Sequence, residues 1–242
     1  MLYKKLVTFC IVVVVTLVGG VSAFARTIDN SAKDKVQRRV LVPVNLAILI
    51  QDDLVSQVGN ELDETRDFIR SLPAGSRVMV GYITTGTLQV RQPFTTDLEK
   101  AAGSLRMVMS TTSASAFNPY VEVVEALRKF ETGKGKNVLL LISDGLDTSR
   151  GFDSSAAGNT LDLHRAIDNA RKRDVAIYTF FAPSVGLTSQ NRMAVSYGQS
   201  SLNRLANDTG GKAFFQGSGF VSFSPYFRRL REALNEQYAK AY

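Results

Sequence analysis

The stretch VLVPVNLAILIQDD (Val40–Asp53) decides the reading of this chain. It is almost continuously apolar and rich in branched side chains, then stops on an amide and two carboxylates. A strand covered on only one face alternates apolar and polar residues, whereas a strand buried on both faces reads as an unbroken run. Three further runs have the same character: RVMVGYIT (Arg77–Thr84), KNVLLLIS (Lys136–Ser143) and VAIYTFF (Val175–Phe181). The segments between them carry helical spacing. Val58, Leu62, Thr65, Phe68, Ile69 and Leu72 place one apolar stripe on a helix over Ser56–Leu72, closed by Pro73-Ala74-Gly75. Thr96 or Asp97 caps a short helix reaching Met107. Pro119 suits the first turn of a helix bearing Tyr120, Val123, Val124 and Leu127 inward. Leu161–Arg173, Ser201–Asn207 and Pro225–Tyr242 read as further helices. Leu88–Val90 reads as an antiparallel edge strand and Ala213–Phe215 as a short last strand. Strands alternating with helices predict an α/β fold with a doubly wound, mostly parallel sheet and helices on both faces.

The 242 residues suit one domain of ordinary size, with enough length to bury a core without disulfides. The single Cys (Cys10) and single His (His164) exclude a disulfide framework, a Cys-rich zinc site and a His cluster. Residues 1–25 combine Lys4-Lys5, an apolar run from Leu6 to Val18, and Ala23-Phe24-Ala25 ahead of Arg26, the three parts of a secretory signal peptide. The alternative, an uncleaved anchor, needs about 20 apolar residues, and this run is shorter. The expected organisation is a signal peptide (1–25), a flexible leader (26–39) and one domain (40–242). The expected location is exported, periplasmic or extracellular, with no stable membrane insertion after cleavage. Cleavage would remove two lysines and lower the net charge from +7 to +5. Lys33, Lys35, Arg38 and Arg39 form the densest basic run, but no aromatic residues interleave it as stacking platforms. It reads as a solvated arm, and no nucleic-acid partner is expected.

In an open α/β sheet, ligands bind beyond the carboxyl ends of the strands, where strand order reverses. Gln51–Ser56, Ser110–Asn118 and Ser143–Asp147 fall there. They offer Asp52, Asp53, Ser56, Asn118, Asp144 and Asp147. Oxygen-only donors suit Mg2+, Ca2+ or Mn2+; the same residue types also cap helices and make turns. No G-x-S-x-G elbow is present, no G-x-G-x-x-G follows the first strand, and His164 falls within a helix.

LAILIQDDLVS (46–56), RVMVGYITT (77–85), NVLLLISDGLD (137–147), DVAIYTFFAPSVG (174–186) and LNRLANDTGGKAFF (202–215) together resemble a von Willebrand factor type A (vWA) domain, in particular the bacterial secreted group called VWFA-related domains. The resemblance implies a central sheet of about six strands with one antiparallel edge, Rossmann-like in its winding. It also implies a non-enzymatic module that binds a protein partner. Many vWA domains hold a divalent cation at a metal-ion-dependent adhesion site: Asp-x-Ser-x-Ser after the first strand, a Thr on a later loop and an Asp after the fourth strand. Carried onto this chain, these positions are Asp52, Leu54, Ser56, Asn118 and Asp144. Leu54 cannot coordinate, while an Asn oxygen is an acceptable hard ligand. The expectation is that Asp52, Ser56, Asn118 and Asp144 converge on one cation, in a partly eroded site. The competing expectation is a metal-assisted hydrolase built on Asp52, Asp53 and Asp144. A general base or nucleophile beside that cluster would distinguish it, and the sequence supplies only Ser56 and loop hydroxyls there. Binding is therefore the favoured expectation.

Overall fold

The computed structural model describes residues 42–131, 135–152, 160–220 and 222–239. The expected signal peptide and leader, and the Val40-Leu41 start of the first expected strand, lie outside the described residues. Strand β1 (Val44–Gln51) pairs in parallel with β2 (Arg77–Thr84) on one side and with β4 (Lys136–Ser143) on the other. An antiparallel β3 (Thr87–Thr95) flanks β2, and β5 (Val175–Phe181) and β6 (Ala213–Phe214) extend the sheet beyond β4. Among the described residues the order is β3-β2-β1-β4-β5-β6. The expected α/β, mostly parallel, vWA-like architecture is the one observed. The strand order reverses between β1 and β4, and their register (Leu49↔Leu141, Ile50↔Ile142) brings Gln51-Asp52 level with Ser143-Asp144.

The unbroken apolar runs resolve into two sets with a period of two. Leu46, Ile48, Ile50, Val138, Leu140 and Ile142 face one layer. Ala47, Leu49, Leu139 and Leu141 face the other. The first layer comprises α1 (Gln57–Asn60), α2 (Leu62–Arg70), α3 (Leu98–Gly103) and α7 (Ser224–Ala239). The second comprises α4 (Pro119–Leu127), α5 (Leu161–Lys172) and α6 (Arg192–Asp208). Each fully buried Leu or Ile contributes about 1.5–3 kcal/mol of burial, which makes the doubly covered strands the foundation of the domain. Phe227 of α7 stacks on Phe68 of α2 (centroids 4.8 Å apart) and meets Phe180 of β5 edge-on at 5.0 Å, locking the last helix to the sheet.

Four elements depart from expectation, the first being α3, which ends at Gly103 rather than Met107. The single helix over Ser56–Leu72 is broken at Glu61 (φ −92°, ψ 1°). Gly59 and Asn60 are weak helix formers. The Glu61 carboxylate accepts hydrogen bonds from Phe223 N (2.8 Å) and Ser222 Oγ (3.0 Å), which ties the break to the start of α7. β3 is longer than Leu88–Val90, because Thr85 and Gly86 both take positive φ (50° and 64°) and form the two-residue turn that suits a hairpin. Its Pro93 is tolerated because β3 is an edge. α6 begins at Arg192 rather than Ser201, where the Asn191 side chain accepts from Met193 N and Ala194 N.

α6 approaches the sheet closely through Gly198. A β-carbon there would run into the carbonyl oxygen of Asp144, and one at Gly145 (φ +71°) would run into Gly198 O and Leu202. Gly198→Ala should destabilise the domain by about 2 kcal/mol or more in urea denaturation, since backbone rather than a flexible side chain must move. Gly103→Ala, with open space around it at the end of α3, should stay within about 1 kcal/mol of the parent.

Candidate functional site

The carboxyl ends of β1 and β4 carry three buried carboxylates, Asp52, Asp53 and Asp144, and each is hydrogen-bonded internally. Asp52 is fully buried. Arg106, from the loop after α3, grips it with both arms of the guanidinium: Nη1 donates to Oδ1 and Nη2 to Oδ2, each at 2.7 Å. Met109 N adds a bond to Oδ1 at 3.0 Å. Planar fork-on-fork pairing of this kind is the strongest form of ion pair. The guanidinium also lies over the Tyr82 ring, 4.1 Å from its centroid. The Tyr82 hydroxyl donates to Arg106 O (2.6 Å) and accepts from Arg106 N (2.9 Å).

The second cluster is built on Gln51. Its Oε1 accepts from Ser143 Oγ (2.6 Å) and Asp144 N (3.2 Å), and its Nε2 donates to Asp53 Oδ1 (2.8 Å). Asp144 Oδ1 accepts from Leu146 N (3.1 Å) and Oδ2 from Thr188 Oγ1 (3.1 Å). The loops after β1 and β5 close over the end of β4. Val55 N donates to Pro183 O (3.0 Å), Val185 N to Asp53 O (2.8 Å), and Leu54 forms an antiparallel bridge with Ser184. Leu54 itself belongs to the core on the α7 side of the sheet. The expected crevice is therefore roofed by this strap, with Asp53 and Asp144 buried beneath it.

The other two expected ligands point their chemistry elsewhere. Ser56 is exposed, precedes α1 and makes no side-chain cap. The Asn118 amide oxygen caps α4 by accepting from Tyr120 N (3.1 Å), and its NH2 donates to Asp147 Oδ2 (3.1 Å) and Asp162 Oδ2 (2.9 Å). The expected convergence of Asp52, Ser56, Asn118 and Asp144 needs correction. The β1–β4 register brings Asp52 and Asp144 level, but Asp52 is turned to Arg106 and Asn118 to a separate acidic pair. A divalent cation needs several uncommitted oxygens around one point. Here Leu54 is apolar, both Asp52 oxygens are held by a cation already, and the Asn118 oxygen serves a helix. Among the described residues no group of three or more His, Cys, Asp or Glu is placed to hold a metal ion. As arranged, these residues do not fit the cation that the resemblance implies.

Arg106, Gln51, Thr188 and Met109 escape a sequence reading. Arg106 lies 54 residues from Asp52, in a loop with no pattern, and nothing local marks it as the partner. A buried amide directly ahead of Asp52-Asp53 was the one available hint at Gln51. The same end of the domain also exposes large apolar side chains. Met107, Met109, Phe117, Leu161 and Met193 lie in loops or helix starts there, exposed between 48% (Phe117) and 61% (Leu161). Phe117 holds φ +54°, a strained setting for a bulky residue, and Thr148 N bonds its carbonyl (2.6 Å).

No protein-family model matches the chain, and no curated protein matches it. Solved structures do share the fold. The conserved hypothetical protein BatB from Bacteroides thetaiotaomicron is 14% identical with a TM-score of 0.53, over 82% of this chain and 99% of that one. An aerotolerance-related membrane protein from Bacteroides fragilis NCTC 9343, carrying multiple mutations to serines, is 13% identical with a TM-score of 0.51, over 81% and 99%. At these identities the likeness concerns the fold, which is vWA-like.

Burial first, and then the neighbouring Asp144 carboxylate, push the Asp53 carboxyl up to about 7 from its ordinary 3.8, against the Gln51 hydrogen bond. Burial raises Asp144 as well. Folded Asp53 thus keeps its proton through a range where the unfolded chain has lost it. The stability this confers is complete below pH 3.8 and is lost as pH rises towards and through about 7. Urea denaturation between pH 5 and 8 should show the parent losing stability with rising pH, by up to about 1.4 kcal/mol per unit below the folded value. Asp53→Asn should flatten that slope, and parallel profiles for the two proteins would contradict the assignment.

Proposed function

We propose that this chain is an exported, non-enzymatic vWA-like module that binds a protein partner through the surface at the carboxyl ends of its strands. The observation that carries this reading is the set of exposed apolar side chains there, Met107, Met109, Phe117, Leu161 and Met193, above carboxylates that are already satisfied. Exposed large apolar residues gathered at one end of a domain mark interaction surfaces. Methionine, flexible and polarizable, suits adaptable contacts. Export rests on the signal-like residues 1–25; among the described residues no helix is long and apolar enough to cross a membrane.

The hydrolase alternative finds little support. Asp53 has the raised pKa of a proton carrier, but it sits under the Leu54–Ser184 strap with its neighbour Asp144. A catalytic acid must reach its substrate within hydrogen-bond distance. The sole histidine, His164, belongs to α5 rather than to this cluster.

Tagged full-length protein recovered from the exported fraction should capture a reproducible set of proteins. Met109→Asp combined with Phe117→Asp should abolish that capture while leaving the circular dichroism spectrum and melting temperature close to the parent. Lys172→Glu, at the opposite end of α5, should leave capture intact. Loss with Lys172→Glu and retention with the double variant would move the binding surface to the other end of the domain.

A further inference from the structure

A carboxylate as deeply buried as Asp52 needs a counter-charge, since a lone ion in the interior costs several kcal/mol of lost hydration. A divalent ion can supply that charge, but it dissociates and must be taken from solution. Arg106 supplies it permanently, because a guanidinium stays protonated across the physiological range. Its geometry is specific rather than incidental. Both Asp52 oxygens are held at 2.7 Å, the guanidinium plane is backed by Tyr82, and Nη1 makes a further bond to Met107 O (2.9 Å). The Tyr82 hydroxyl fixes the backbone of Arg106 on both sides of its α-carbon.

We propose that Arg106 is the resident cation of this site. It takes the role of a divalent ion, so that the surface at the carboxyl ends of the strands assembles without metal. The pairing has a second consequence. Asp52 accepts from Met109 N, and its backbone oxygen accepts from Ser110 N (3.0 Å), so the Asp52–Arg106 pair anchors the loop that displays Met107 and Met109. Arg106 is thereby a positioning residue for the binding surface. This rests on the binding reading above, but its test needs no partner, so the two can fail separately.

The test is the thermal midpoint of the full chain in EDTA and at millimolar MgCl2, CaCl2 and MnCl2. The parent should show the same midpoint in all four. Arg106→Met should lower it by on the order of 10 °C, since it strands a buried carboxylate. Asp52→Asn combined with Arg106→Met should recover much of that loss, because the stranded charge is gone. A divalent-dependent rise in the parent would overturn the proposal, as would a double variant no more stable than Arg106→Met. If Arg106→Met does not fold, a folded double variant supports the proposal. If neither folds, the parent titration decides alone: an unchanged midpoint supports the resident cation and a rise refutes it.

Discussion

Two adjacent parallel strands that end level with one another, each in a carboxylate, set the central constraint on this domain. The β1–β4 register that aligns Ile50 with Ile142 also forces Asp52 and Asp144 into the desolvated end of the sheet. Unrelieved, such carboxylates repel one another and resist burial. The chain answers in two ways. Asp52 is neutralised by a full charge, Arg106, reaching across from a loop after α3. Asp53 is handled by the Gln51 amide, Asp144 by Leu146 N and the Thr188 hydroxyl, and both by a raised affinity for protons. The loop strap through Leu54 and Ser184 covers carboxylates whose raised affinity for protons and internal hydrogen bonds lower the cost of burying them.

These solutions shape what the domain presents to a partner. With the buried carboxylates bonded internally, the outer surface at this end exposes Met107, Met109, Phe117, Leu161 and Met193 among hydroxyl-bearing loop residues such as Ser56 and Thr112. The same ion pair that settles Asp52 holds the Met107–Met109 loop in place. Packing beneath is equally exacting. Gly145 and Gly198 let α6 press against the turn after β4, and Tyr120 of α4 donates to Gly145 O at 2.5 Å. Among the described residues the site is thus closely packed against the end of the sheet.

The strands were legible because burial on both faces leaves an unbroken apolar run. Lys136–Ser143 and Val175–Phe181 appear with the bounds their sequences suggest. Helix bounds were less legible where long-range contacts override local preference. Glu61 breaks a helix to reach Ser222 and Phe223, and Asn191 starts α6 at Arg192, nine residues before the expected Ser201, because its side chain caps the first turn. At the site, strand position alone sufficed to bring Asp52 level with Asp144. The directions of their side chains did not follow, because those depend on Arg106, a partner distant in sequence. Ser56 and Asn118 matched a spacing, yet local roles claimed them: Ser56 leads into the one-turn α1 and Asn118 caps the nine-residue α4.

The most direct test of the claim that Arg106 holds Asp52 in place of a metal is anomalous diffraction from crystals of this chain soaked in millimolar manganese. The account predicts no anomalous peak beside Asp52 or Asp144, with the Arg106 guanidinium lying bidentate on Asp52 and stacked on Tyr82. A manganese peak bridging Asp52 and Asp144, with Arg106 displaced from the carboxylate, would contradict it.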